Sequence, residues 1–273
     1  MHRSNCWPGS AASTPGGAAE RPGHGASSRR EAPAHTAVPL VTPALCIVLP
    51  VLNEAERLRE LLQALQPLRQ RGAQLIVADG GSQDGSLAIA RELADLALQA
   101  PRGRAVQMNA GAAACKGELL LFLHADTRLP DAADALVQAA LRPGSRHHWG
   151  RFDLRIDSPR RLLRVVAGAM NQRSRWTGIA TGDQAMFVRR ALFNQVGGFP
   201  EIALMEDIAL SAALKRHGPP ACLRPPVITS ARRWERHGVW RTIALMWRLR
   251  AAYFLGADPA RLAITYGYRP PER

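Results

Sequence analysis

Three short apolar runs, each delivering a carboxylate at its end, most constrain what this chain can fold into. Ala44 to Leu52 (ALCIVLPVL) leads directly into Asn53-Glu54, Gln74 to Ala78 ends at Asp79, and Glu118 to Thr127 (ELLLFLHADT) carries His124 and Asp126. Runs this short are read as buried strands, because a helix needs more length. Helical patterns separate them. Leu58, Leu61, Leu62, Leu65 and Leu68 make one apolar face after the first strand; Asn53 has the position of an N-cap, and Glu56 the capping-box spacing. A second helix starts near Ser86, Leu96 to Ala100 reads as a short third strand, and Arg102 to Ala114 as a glycine-bounded helix. Strands alternating with helices at this spacing imply an α/β chain with a parallel sheet and right-handed crossovers. Ligands of such sheets bind beyond the C-terminal strand ends, where Glu54, Asp79 and Asp126 would gather. His124 and Asp126 are there suited to hold a cation. Asp84, in the turn Asp79-Gly80-Gly81-Ser82-Gln83-Asp84-Gly85, is better read as turn chemistry. A dinucleotide-binding fold is excluded, since PVLNEAERL stands where a G-x-G-x-x-G loop should follow the first strand.

The second half changes character. After a modest helix from Asp131 to Leu141, the segment Arg142 to Arg175 holds nine arginines against two acids, Asp153 and Asp157. Trp149, Phe152, Leu154 and Ile156 are interleaved, so the expectation is a half-buried hairpin or helix at the border of the site, its arginines facing a polyanionic ligand or a membrane. A glycine-rich loop then reaches Gly182-Asp183-Gln184 and a short strand, Ala185 to Val188. Leu204 to His217 is an amphipathic helix with Glu206 and Asp207 in its first turn, where the helix dipole favours acids in any case. Near the C-terminus Trp240, Ile243, Trp247, Ala251 and Phe254 share one helical face, with Arg241 and Arg248 on another. Such a helix fits a membrane interface; packing on the domain or on a second subunit together are slightly favoured over it.

Charge narrows the partners. Of 36 basic residues only Lys116 and Lys215 are lysines, and the formal net charge is +14. Arginine reads phosphate bidentately, which suits phosphorylated ligands or anionic membrane surfaces. Nucleic acid is disfavoured, because aromatics make up 5% of the chain and no binding motif accompanies the arginines. Cys6, Cys46, Cys115 and Cys222 lack any paired spacing and are read as reduced, mostly buried thiols of a cytoplasmic protein. No run reaches the roughly 18 to 20 apolar residues of a membrane span, and no signal-peptide core is present near the start. Residues 1–43 are poor in large aliphatics and are read as a disordered tail.

Taken in order, IVLPVLNEAERL, VADGGSQDGS, HADT, GDQAMFVRR and GGFPE followed by MED resemble the family 2 glycosyltransferases of GT-A fold over about Leu45 to Arg233. HADT and RRWERHG look more narrowly like the small bacterial selenodomain-associated, or arsenosugar-biosynthesis, branch. The resemblance implies a Rossmann-like, mostly parallel sheet flanked by helices over residues 44–233, with a C-terminal amphipathic helix and tail over residues 234–273. It implies metal-dependent, inverting transfer from a nucleotide-sugar, uridine-linked by resemblance, to a hydroxyl or carboxylate of a small-molecule or lipid acceptor. Glu54 and Asp79 would take the base and ribose, Asp126 the divalent cation, Mg²⁺ or Mn²⁺, with His124 where the family commonly has the first Asp of D-x-D. Asp183 and Gln184 would border sugar and acceptor, and Asp207, beside Glu206, would be the general base. Arg233 and Trp234 resemble the end of the Gln-x-x-Arg-Trp motif, but Ser230 stands at the Gln position, so no polymer synthesis is implied. Rival readings are a sugar-phosphate nucleotidyltransferase, which lacks its G-G-x-G-T-R loop here, and a catalytically silent nucleotide- or membrane-binding scaffold. The expected location is cytoplasmic, with peripheral contact at the inner face of the plasma membrane.

Overall fold

The computed structural model describes residues 44–268; the tail read over residues 1–43, Cys6 and the last five residues lie outside them. In β1 (Leu45–Val51), Leu45, Ile47, Leu49 and Val51 enter one core and Cys46 and Val48 the other. Both faces are covered, so the strand shows no polar stripe. α1 (Ala55–Gln70) closes the first face with its five buried leucines. β2 (Gln74–Asp79), α2 (Ser86–Leu93), β3 (Leu96–Gln99) and α3 (Arg104–Ala113) repeat the pattern, and β4 (Leu119–Phe122) pairs in parallel with β1. There follow β5 (Thr127–Arg128), α4 (Ala133–Ala140), β6 (Trp149–Asp157), α5 (Arg161–Thr177), β7 (Phe187–Arg189), α6 (Arg190–Gln195), α7 (Glu206–Lys215) and β8 (Ala221–Ser230). α8 (Arg232–His237), α9 (Val239–Phe254) and α10 (Pro259–Tyr266) form the C-terminal extension.

The strand order is β3-β2-β1-β4-β7-β6-β8-β5. β1 to β4 run parallel, but β7 is antiparallel to both β4 and β6, and β5 to β8. The sheet is therefore mostly parallel but mixed, with β7 running against both of its neighbours and β5 against β8. The central strand is also shorter than the apolar run. It ends at Phe122, so His124 and Asp126 lie on the loop beyond it, and Thr127 joins β5.

Several local expectations are corrected. Of the hairpin or helix expected over Arg142 to Arg175, the helix is found: α5 borders the cavity, preceded by β6, and Arg151 on β6 is fully buried rather than facing a ligand. Its guanidinium pairs with Asp153, which also takes Arg175, and donates to the Asn171 carbonyl at 2.9 Å. A buried cation needs such partners, and Asp153 supplies them from two residues along the strand. β8 was hidden by Pro225 and Pro226. The register jumps there, from Phe152↔Leu223 to Asp153↔Pro226, and a bulge tolerates prolines that lack the ladder donor.

The cysteine reading is corrected too. Cys46 and Cys115 are disulfide-bonded across 69 residues, and Cys222 is free and half-buried. Parallel pairing of β1 with β4 brings the two together, which sequence spacing could not reveal. On α9 the aromatic stripe is not packed on the domain: Thr242 and Leu249 are buried, while Trp240, Trp247 and Phe254 are 72%, 74% and 69% exposed. Among the described residues no helix is long and apolar enough to cross a membrane.

Candidate active site

The loops after β1 and β2 are tied together. Asn53 does not cap α1; it adopts φ 54°, donates its N–H to Ser82 Oγ at 2.9 Å, and accepts from Gln83 N at 2.8 Å. Asp84 caps instead, accepting from Ala55 N at 2.9 Å and from Ser86 N at 3.1 Å, which bears out its reading as turn chemistry. Asp79 is fully buried, and its Oδ2 accepts the Gly81 and Ser82 N–H groups, both at 2.9 Å. Its Oδ1 is buried without a hydrogen-bond partner among the described residues. A buried carboxylate oxygen left without a donor is costly. Glu54 stands beside it in the fold, half-buried; burial raises its carboxyl above the usual range, against the pull of Arg232 at 3.7 Å.

Beyond β4 opens a cavity of about 890 Å³, whose wall includes His124, Asp126, Asp183, Asp207, Arg233 and Trp234. Gly182 permits the approach of His124: a Cβ there would overlap the imidazole at Cε1 and Nε2. Burial, then the charge of Arg104, push the imidazole below its ordinary pKa, so it stays neutral with a lone pair to give. Asp183 lies on a single 3₁₀ turn (Gly182–Gln184), where burial raises its carboxyl and the Thr181 hydroxyl donates to it. Gln184 is fully buried and turned inward, its Oε1 accepting from Thr181 N at 3.1 Å. It does not line the cavity but holds the turn that does.

The paired acids of α7 differ in their partners. Glu206 is 2% exposed, with Oε1 on Arg104 Nε at 3.0 Å and Oε2 without a partner among the described residues. Burial pushes its carboxyl up to about 7. Asp207 points to the cavity instead. Its Oδ2 accepts from Gly182 N at 2.8 Å and its Oδ1 from Ile208 N at 2.7 Å, so one carboxylate joins the start of α7 to the turn bearing Asp183. The two non-glycine residues Ala185 (φ 45°) and Met205 (φ 72°) flank these acids in left-handed conformations. Such conformations cost of order 1 kcal/mol or more each and persist where surrounding structure enforces them. Arg233 stacks on Tyr266, 3.5 Å from the ring centroid, and donates to the Tyr266 carbonyl at 2.8 Å.

His124, Asp126, Asp183 and Asp207 are thus brought to one cavity, while Glu54 and Asp79 sit at the neighbouring strand ends, outside its wall. Sequence reasoning assigned no role to Arg104, Arg173, Arg250 or Tyr266, all on that wall. Only the density of arginine in Arg142 to Arg175 pointed toward one of them.

A mixed sheet of this order, with acids beyond β1, β2 and β4, is the GT-A fold shared with the solved structures below. Residues 46–197 match the model of glycosyl transferase family 2, more than half of the chain, and the chain belongs to that family. It is 34% identical over 116 residues to the succinoglycan biosynthesis protein ExoA of Rhizobium meliloti (strain 1021), covering 39% of this chain and 35% of that one. The chain therefore spans about a third of that curated relative's length. Among solved structures, the mannosyltransferase PcManGT from Pyrobaculum calidifontis, in complex with GDP-Man and Mn²⁺, aligns with a TM-score of 0.55 at 23% identity, over 84% of this chain and 70% of that one. TarS 1–349 of S. aureus in complex with UDP-GlcNAc gives 0.56 at 18%, over 68% and 58%. Glucosyl-3-phosphoglycerate synthase from Mycobacterium tuberculosis, with Mn²⁺, UDP and glucosyl-3-phosphoglycerate, gives 0.54 at 17%, over 84% and 82%.

Proposed function

We propose that the chain transfers a sugar, with inversion at the anomeric carbon, from a nucleoside-diphosphate sugar to a hydroxyl or carboxylate of a small-molecule or lipid acceptor. The observation that carries this reading is Asp207, a carboxylate fixed by two backbone N–H groups, sharing one cavity with His124 and Asp126. Asp207 takes the acceptor proton as the acceptor oxygen bonds to the anomeric carbon and the bond to the diphosphate oxygen breaks. One base and no covalent nucleophile gives inversion. Glu54 and the unpartnered oxygen of Asp79 would hold the nucleoside; Asp183 would border the sugar, with Gln184 positioning it. Arg233 and Trp234 line the same wall, and Glu206 anchors the start of α7 through Arg104.

Among the described residues no cluster of three or more His, Cys, Asp or Glu could hold a metal ion by itself. His124 and Asp126 nevertheless fit Mg²⁺ or Mn²⁺, which in phosphate-transferring sites take one or two protein ligands and the rest from phosphate and water. A neutral imidazole suits Mn²⁺ better. Bound there, the ion would neutralise the departing diphosphate. A uridine-linked donor is supported by the UDP complexes of two structural neighbours, although a third holds GDP-Man. The narrower bacterial branch rests on HADT and RRWERHG. Peripheral contact with the inner face of the plasma membrane is supported by the exposed aromatic stripe of α9, with Arg241 and Arg248 beside it.

Titration calorimetry tests the donor. UDP, with GDP as the control, should bind only with Mn²⁺ or Mg²⁺ present, and Asp126→Ala should abolish that binding. Absence of binding by either nucleotide under any metal condition would remove the donor assignment.

A further inference from the structure

Two helices present the same four-residue stripe to the cavity. On α5 it is Val166, Ala169, Met170 and Arg173; on α9 it is Ile243, Met246, Trp247 and Arg250. Both follow the i, i+3, i+4, i+7 spacing that keeps residues on one helical face, and both put three apolar side chains before a terminal arginine. Both arginines line the one cavity. Among the charges acting on Arg173, Arg250 is first, followed by Asp183 and Asp207.

Arg173 is only partly satisfied among the described residues. Its Nε and Nη2 atoms are buried and have no hydrogen-bond partner among the described residues. Burial, with the like charge of Arg250, pushes its pKa down to about 10, so it stays charged near neutrality. Two adjacent guanidinium groups repel one another, and buried N–H donors left unmade carry a cost. By contrast, Arg151 and Arg175 are engaged by Asp153, and Arg233 by Tyr266. Arg173 and Arg250 form no salt bridge within 4.0 Å among the described residues, where an anion would relieve both groups.

We propose that this wall is the acceptor subsite, and that the acceptor is an amphiphile whose anionic group, phosphate or carboxylate, lies between Arg173 and Arg250 while its apolar body lies along the two stripes. This deepens the transferase reading and rests on it for the role of Asp207. A hydroxyl adjoining the anionic group then faces Asp207, and the chain of the acceptor leaves past Trp247, 74% exposed at the rim. Specificity follows from chemistry. A neutral amphiphile leaves the guanidinium groups unpaired, and a small anion leaves the apolar stripes wet.

The test uses octyl phosphate, 1-octanol and inorganic phosphate as probes, read by the fluorescence of Trp176, Trp234 and Trp247 on the cavity wall. Octyl phosphate should bind at least about tenfold more tightly than either other probe, as charge-assisted hydrogen bonds allow. Arg173→Gln and Arg250→Gln should each remove the preference over octanol, and Arg173→Lys should retain part of it. UDP affinity, with circular dichroism, checks the fold of each variant and should not change. Equal binding of octyl phosphate and octanol, or of octyl phosphate and inorganic phosphate, overturns the proposal. So does a preference that survives both glutamine variants, or a loss of UDP binding in them, which would assign the arginines to the donor. Wild-type protein that selects octyl phosphate yet binds no nucleotide would refute the transferase reading and leave this subsite standing.

Discussion

Replacing Glu206 by Gln should make the protein more stable at pH 8 and leave it unchanged near pH 4.5. Glu206 is 2% exposed, one of its oxygens has no partner among the described residues, and its carboxyl is raised from an ordinary value of 4.5 to about 7, first by burial. The folded value lies above the unfolded one, so the fold favours the protonated form. Its contribution to stability is complete below about pH 4.5 and is lost as pH rises through about 7. At about 1.4 kcal/mol for each pH unit between the two values, the loss is about 3 kcal/mol. The attraction of Arg104 is already contained in that balance, because it pulls the value down. Glutamine has the shape of the protonated acid and no ionisation to suffer. Urea unfolding of wild type and Glu206→Gln at pH 5 and pH 8, followed by tryptophan fluorescence, measures the difference directly. The variant should gain up to about 3 kcal/mol at pH 8, about 6 to 12 °C in Tm for a fold of this size, and less than about 1 kcal/mol at pH 5. Two stability profiles that run parallel from pH 5 to pH 8 would show that Glu206 is not held protonated by its burial.

Asp207→Asn keeps an oxygen for the Gly182 N–H but removes the proton acceptor, so kcat should fall by about 100-fold or more while UDP affinity stays within about twofold; near-normal turnover would take Asp207 out of the chemistry. The exposed face of α9 should carry the protein onto vesicles containing phosphatidylglycerol, with binding reduced by salt. Trp240→Ser with Phe254→Ser, neither on the cavity wall, should weaken pelleting without altering UDP binding, and pelleting unaffected by both would place any membrane contact elsewhere.

What could be read along the chain was whatever depends on near neighbours. The apolar runs of β1, β2 and β4 declare themselves, because strands covered on both faces cannot afford polar positions. α1 is visible in its five leucines, and the acids after these strands follow from strand direction alone. Asp84 was legible as a turn residue for the same reason: its partners Ser86 and Ala55 lie at loop ends that composition already marks. Pairing across the fold was not legible. Cys46 and Cys115 meet only because β1 and β4 are adjacent, Pro225 and Pro226 are admissible only where β6 and β8 shift register, and Asn53 faces the loop after β2 rather than its own helix. Glu206 and Asp207 are adjacent acids in one helical turn, identical in local chemistry. Only the tertiary structure distinguishes them, burying Glu206 against Arg104 and fixing Asp207 on the Gly182 N–H at the cavity wall. The sequence by itself determined that β1, β2 and β4 are strands and which acids stand at or after their ends, since both depend on local pattern. The tertiary structure alone decided which charges are neutralised and which, like Arg173 and Arg250, are left facing a cavity, because that depends on contacts between segments far apart in the chain.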